Sequence, residues 1–257
     1  MGYFDLTLPL DHEWMPDEVL PNSTRFFLGP KDHHEKGIVV GSESGTCITL
    51  PAEFAEFRKT MRLDEVPAEK LFLRPATIVE IPKKSGEEVT EEDIRRSLIE
   101  ANPNPGDAIL LRTGWGDTGV ETQPGDGYLL KSPHFSLEAA EVLASEMKRN
   151  NNDLLLTDLA LIGRPNKHLI PEWCSIRPRP GPWPSPEARV YLHLYTPEKA
   201  KEDFAVEILF AAAGIMTVKR LIHCGAIARK RVRIIVAPLH IVRGVSSTCR
   251  VIAVVDS

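Results

Sequence analysis

Short apolar, β-branched runs are interspersed along the chain with three longer stretches whose apolar positions recur at helical spacing. The short runs fall at 76–81, 108–112, 154–157, 215–221, 232–237 and 249–255 and predict strands. The first helical stretch, "IRRSLIEA", follows Thr90 and Asp93, a pair placed to form a capping box. In the second, Ser136 is an N-cap for "LEAAEVLASEMKR", and the asparagines at 150–152 stop it. The third opens at Thr196-Pro197 with "EKAKEDFAVEILFAAAG", where Ala205, Ile208, Leu209 and Ala212 predict the buried stripe and Gly214 the end.

Strands outnumber helices and do not alternate with them one for one, so the pattern predicts a mixed sheet in an α/β or α+β arrangement. The last two strand runs, separated by "LHIVRGVSS", read as sheet neighbours. Residues 163–188 are so rich in proline that regular ladders are forbidden, which predicts a long loop serving as lid, contact segment or linker. No 20–50-residue repeat or low-complexity linker divides the sequence, and residues 1–257 are read as one domain.

Composition narrows the partners. The 257 residues are 42% hydrophobic and 26% charged, enough for a substantial core, and the net charge of −5 is mixed along the length. A field of that kind disfavours a phosphate backbone, so no nucleic-acid partner is expected; the one basic cluster, "ARKRVRIIV" at 228–236, reads as a solvated strand edge. No apolar run is long enough to span a bilayer and the first residues lack a signal-peptide pattern, which predicts a soluble cytoplasmic protein with no membrane partner. Cys47, Cys174, Cys224 and Cys249 are too scattered for a zinc knuckle or disulfide framework and read as buried thiols. "GSESGT" at 41–46 is glycine-rich but lacks the lysine of a phosphate-binding loop.

Several segments, taken in order, carry a resemblance: "YFDLTLPL" at 3–10, Gly45-Thr46 followed by Pro51, "GDAILLRTGW" at 106–115, "SPHFSLEAAEVLA" at 132–144, "LLLTDLALIG" at 154–163, "EILFAAAGIMTVKRL" at 207–221 and "IIVAPLHIVRGVSSTCRVIAVV" at 234–255. Together they resemble the cyclase superfamily of kynurenine formamidase and isatin hydrolase. The resemblance implies a swivelling-domain-like α/β fold, a mixed β-sheet or open barrel with peripheral helices. It also implies a homodimer or homotetramer, and hydrolysis or cyclisation of a small cyclic or acylated amide or lactone. Members use zinc or manganese through H-x-G-T-H-x-D-x-P-x-H and a later His and Glu. Against that pattern this sequence has Glu43, Cys47, Thr49 and Glu53 in the motif and Glu207 and Lys219 downstream. The ligand positions are not retained, and an ammonium beside a dication is repulsive, so no cofactor is expected. Lys219 reads as a replacement for the metal's charge.

Each candidate carries a plainer alternative. Cys47 is a nucleophile if a neighbour lowers its pKa, or a small packing residue. Glu43, Glu53 and Glu207 offer general acid–base groups, or an ion-pair network around Lys219. Lys219 anchors a substrate carboxylate or a developing oxyanion, a better reading than a Schiff base, because a lysine among glutamates keeps its proton. Thr49, Trp115, His33, His34 and Trp183 are candidate substrate-binding positions, with core packing or solvated loops as alternatives. His168, His193, His223 and His240 show no ligand spacing. Two further readings stay open: a non-catalytic descendant that binds a metabolite or partner, and an atypical zinc or manganese site built on Glu43, Cys47 and Glu207.

Overall fold

The structure is a computed structural model that describes residues 1–10, 25–28, 36–39, 42–122, 126–164 and 201–256. In chain order the strands are β1 (Gly2–Asp5), β2 (Arg25–Leu28), β3 (Lys36–Val39), β4 (Cys47–Thr49), β5 (Arg74–Glu80), β6 (Glu88–Val89), β7 (Ala108–Arg112), β8 (His134–Phe135), β9 (Leu154–Thr157), β10 (Met216–Lys219), β11 (Arg231–Pro238) and β12 (Ser246–Val255). The helices are α1 (Glu91–Ala101), α2 (Trp115–Thr122), α3 (Asp126–Leu130), α4 (Leu137–Arg149) and α5 (Ala205–Ala212).

The main sheet runs β1-β12-β11-β5-β7-β9-β10-β4, and β4 also pairs with β12, so seven of its strands close on themselves. The centre β5-β7-β9-β10 is parallel, whereas β11, β12 and β4 join antiparallel. Three-residue β4 thus turns the expected mixed sheet or open barrel into a closed one. Closure leaves β4 no free hydrogen-bonding edge.

Side-chain parity then builds two cores. Ala108 and Leu110 of β7, Leu154 and Leu156 of β9, Met216 and Val218 of β10 and Ile48 of β4 belong to the cluster inside the barrel. Ile109, Leu111 and Leu155, of opposite parity, meet Ile94 of α1, Leu143 and Met147 of α4, and Val206 and Phe210 of α5. Strands apolar on both faces need this helical cover, because the backbone period of two sends alternate residues to opposite sides.

Most sequence-derived elements appear near their expected bounds. Thr90 and Asp93 form the capping box of α1, Ser136 accepts the Ala139 N–H to cap α4, and Gly214 sits beyond α5 at φ 78°. The third helix departs from expectation. Its start at Thr196 lies outside the described residues, its buried side is Val206, Phe210 and Ala211, and Ala212 of the expected stripe is exposed. A single turn residue, Phe204, separates residues 201–203 from α5. The 215–221 run is a strand only over Met216–Lys219, because Arg220 takes a left-handed backbone (φ 65°) that ends the ladder. No described helix is long and apolar enough to cross a membrane.

Candidate active site

The same parity fixes the polar face. In the β10–β4 ladder Lys219 stands opposite Cys47 and Thr217 opposite Thr49, while Ser246 and Thr248 of β12 oppose Thr49 and Cys47 from the other side. Since Ile48 and Val218 point into the barrel, these residues lie on its outer face. Glu43 enters from the preceding turn, Glu53 from the 3-10 turn Pro51–Glu53, and Glu207 from the first turn of α5, which packs against that 3-10 turn.

Glu43 is the hub. Thr49 Oγ1 donates to its Oε1 at 3.0 Å, and Lys219 Nζ lies 3.2 Å from its Oε2. Arg220, 3% exposed, donates from its guanidinium to the carbonyls of Glu43 and Gly45 (the latter at 3.2 Å), approaches Cys47 Sγ at 3.7 Å, and donates through Nε to the Ala160 carbonyl at 3.0 Å. Thr46 Oγ1 donates to the Arg220 carbonyl and accepts the Leu8 N–H, locking the turn to the N-terminal segment. Two glycines permit the approach. At Gly45 (φ 59°) a Cβ would lie 2.8 Å from the Leu10 side chain, and at Gly163 one would lie 2.9 Å from Glu207 Oε2.

Electrostatics sorts the acids. Burial would raise the Glu43 carboxyl, but Lys219 and Arg220 more than reverse it and hold the pKa at about 2. Burial would lower the Lys219 pKa, yet the Glu43 carboxylate carries the net shift upward, so the ammonium is kept. Glu207 is pushed up by burial, only partly offset by Lys219; its Oε1 accepts the Gly163 N–H at 3.3 Å, and its buried Oε2 has no hydrogen-bond partner among the described residues. Burial and then the charge of Glu43 raise Glu53. Burial also raises the Cys47 thiol, with Lys219 and Arg220 offsetting only part, and the residue is 0% exposed. The lowered pKa that a nucleophilic Cys47 needs is therefore not what its surroundings provide.

Glu43, Cys47, Thr49 and Lys219 thus meet through direct contacts or ladder pairing, and Glu53 and Glu207 couple to them through charge. Trp115 does not join them. It is core, 3% exposed, stacked on Tyr128 with centroids 5.9 Å apart, its indole N–H donating to the Tyr128 carbonyl. His33, His34, His168, His193, Trp183 and nearly all of the 163–188 loop lie outside the described residues. Sequence reasoning passed over Arg220, whose signal was a second cation beside Lys219 at a strand end. It also passed over Asp158, an acid directly after the strand run 154–157.

The donor set does not suit a divalent ion. Glu43 already uses both oxygens, Cys47 is held as a thiol, Thr49 is a poor ligand, and two cations stand against the group. Among the described residues no three His, Cys, Asp or Glu side chains gather to hold a metal.

The closed mixed barrel with outer helices and a Gly-Thr turn at its edge define a cyclase-type protein. The family model described as putative cyclase matches residues 4–151, and the chain belongs to that family. No curated protein matches the sequence. Among solved structures, isatin hydrolase A from Labrenzia aggregata is similar at TM-score 0.71 and 20% identity, over 99% of this chain and 94% of that one. An isatin hydrolase bound to the product analogue thioisatinate is similar at TM-score 0.69 and 16% identity, over 100% and 93%. The predicted metal-dependent hydrolase from Bacillus stearothermophilus is similar at TM-score 0.64 and 16% identity, over 98% and 97%. These likenesses are of fold.

Proposed function

We propose that this chain is a hydrolase- or cyclase-like enzyme for a small cyclic or acylated amide or lactone, working without the metal used by the family it resembles. The observation that carries this reading is the Lys219–Glu43–Thr49 constellation, a fixed cation held by a carboxylate at the aligned motif positions. In this reading Lys219 Nζ donates to the substrate carbonyl oxygen and stabilises the oxyanion as water adds to the carbonyl carbon. Glu207, with one oxygen free of partners among the described residues, takes the proton from that water and returns it to the leaving nitrogen or oxygen as the acyl bond breaks. Glu43 holds Lys219 charged and in place, Thr49 fixes Glu43, and Glu53 is a second carboxyl at the rim. Cys47 packs beneath them.

The test uses chelator-treated protein with isatin, an N-formylaniline and a panel of lactones. Turnover is expected to survive chelation and to fall roughly 10²–10³-fold in Lys219→Met, the loss typical of an oxyanion donor. Glu207→Gln is expected to flatten the pH profile of whatever activity remains. Activity that vanishes with chelator and returns with zinc would overturn the metal-free reading.

The second reading, a non-catalytic descendant that binds a metabolite, is favoured by the pairing of the two Glu43 oxygens with Thr49 and Lys219, which keeps that carboxylate engaged. Binding without turnover across the panel would favour it. The homodimer or homotetramer implied by the resemblance belongs to the same proposal and is measured by light scattering.

A further inference from the structure

The mismatch between this site and a divalent ion has a structural counterpart. Lys219 and Arg220 are consecutive, nearly buried and both cationic, and they hold the same turn from two directions. Arg220 grips backbone carbonyls at Glu43 and Gly45, while Lys219 grips the Glu43 carboxylate, whose other oxygen is tied to Thr49. Cys47 stands opposite Lys219 in the β10–β4 ladder, the charges of Glu43 and Glu207 both act on the ammonium, and the buried Glu207 Oε2 has no hydrogen-bond partner among the described residues. A carboxylate fixed by a neighbouring hydroxyl is a ligand a divalent ion can use, and here the chain supplies the positive charge itself.

We propose that the Lys219 ammonium, clasped by Glu43 and opposite Cys47 in the β10–β4 ladder, is a built-in cation that staples the Glu43–Thr49 segment to β10 and holds the place of a divalent ion there. An ammonium on a four-carbon stem cannot dissociate, so the staple holds at any free metal concentration. Arg220 contributes backbone hydrogen bonds that no carboxylate change at 219 removes, and the turn keeps its seat when the charge at 219 is altered. The inference concerns cation occupancy and stands whether or not the site turns over a substrate.

The test compares the full-length protein with Lys219→Glu and Lys219→Met, using manganese and zinc as probes. Metal uptake is read after dialysis, and thermal unfolding is read with and without chelator. The parent protein is expected to take up no ion saturably and to unfold at the same temperature under both conditions. Lys219→Glu, which exchanges the ammonium for a carboxylate among Glu43, Glu207 and Cys47, is expected to approach one ion per chain and to unfold several degrees higher with metal than with chelator. Lys219→Met is expected to unfold earlier than the parent and to recover part of the loss with metal.

One ion per chain in the parent overturns the proposal. So does a folded Lys219→Glu whose uptake does not exceed the parent's. Should Lys219→Glu fail to fold, Lys219→Met decides: recovery with metal supports the built-in cation, and indifference to metal overturns it. None of these readouts uses turnover, so failure of the enzymatic proposal is seen separately.

Discussion

Two acids close the ends of barrel strands in this protein, and they are neutralised by opposite means. Asp158, directly after β9 and 0% exposed, accepts the Thr113 N–H at 2.9 Å, the Thr113 hydroxyl at 2.8 Å and the Gly114 N–H at 2.7 Å, all from the turn after β7. Glu43 is matched by two full cations from the end of β10. Dipoles only partly offset the cost of burial, so the Asp158 carboxyl is shifted upward; charges more than offset it, so Glu43 sits at about 2. The Asp158 corner is a pin that joins two parallel strands, whereas the Glu43 corner stores charge beside a polar face.

Removing the pin should have the largest effect. Asp158→Ala strands the buried Thr113 N–H and the half-buried Gly114 N–H and is expected to cost about 3 kcal/mol in urea unfolding. A loss below about 1 kcal/mol would erase the contrast between the corners. Next comes Arg220→Met, which frees the carbonyls of Gly45 and Ala160 and is expected to cost about 2 kcal/mol. It should also speed hydrogen exchange over residues 42–49, and unchanged exchange there would show that the turn holds without the guanidinium.

Acid sharpens the comparison further. The folded-state pKa of Glu43 lies below its ordinary value of 4.5, so its contribution is fully present above that value and is lost as pH falls through about 2. Asp93, capped by Thr90 and paired with Lys83, also lies at about 2 and titrates in the same window. The measurement is therefore the difference between the parent protein and Glu43→Gln, which is expected to narrow from pH 4.5 to 2. A difference constant across that range would remove the charge-based account. The smallest effect is expected for Cys47→Ala, about 1 kcal/mol for a small buried side chain, together with slow labelling of the native thiol. Fast labelling at neutral pH would return Cys47 to the reacting groups.

Much of the scaffold was legible in the sequence. The runs 108–112 and 154–157 carry enough apolar residues to be strands wherever they pair, and Thr90-Asp93 and Ser136 start helices through local hydrogen bonds. Elements that depend on neighbours were not legible. Strand β4 is three residues long and exists because β10 and β12 flank it, and α2 contains two glycines and two threonines and is held by the packing of Trp115 on Tyr128. The Ala205–Ala212 stripe was misread because periodicity gives a face only up to rotation, and packing against α4 and β9 selected Val206 and Phe210.

The sequence by itself determined which residue types stand at the motif positions, including the lysine at 219, because composition at aligned positions needs no coordinates. Only the tertiary structure decided what they do to one another. Glu43 and Lys219 lie 176 residues apart in the chain and meet because β4 and β10 pair in one register; a slip of one residue would turn Lys219 into the barrel. Charge is written locally, but the shift that a charge imposes depends on distance and burial, and those are properties of the closed barrel.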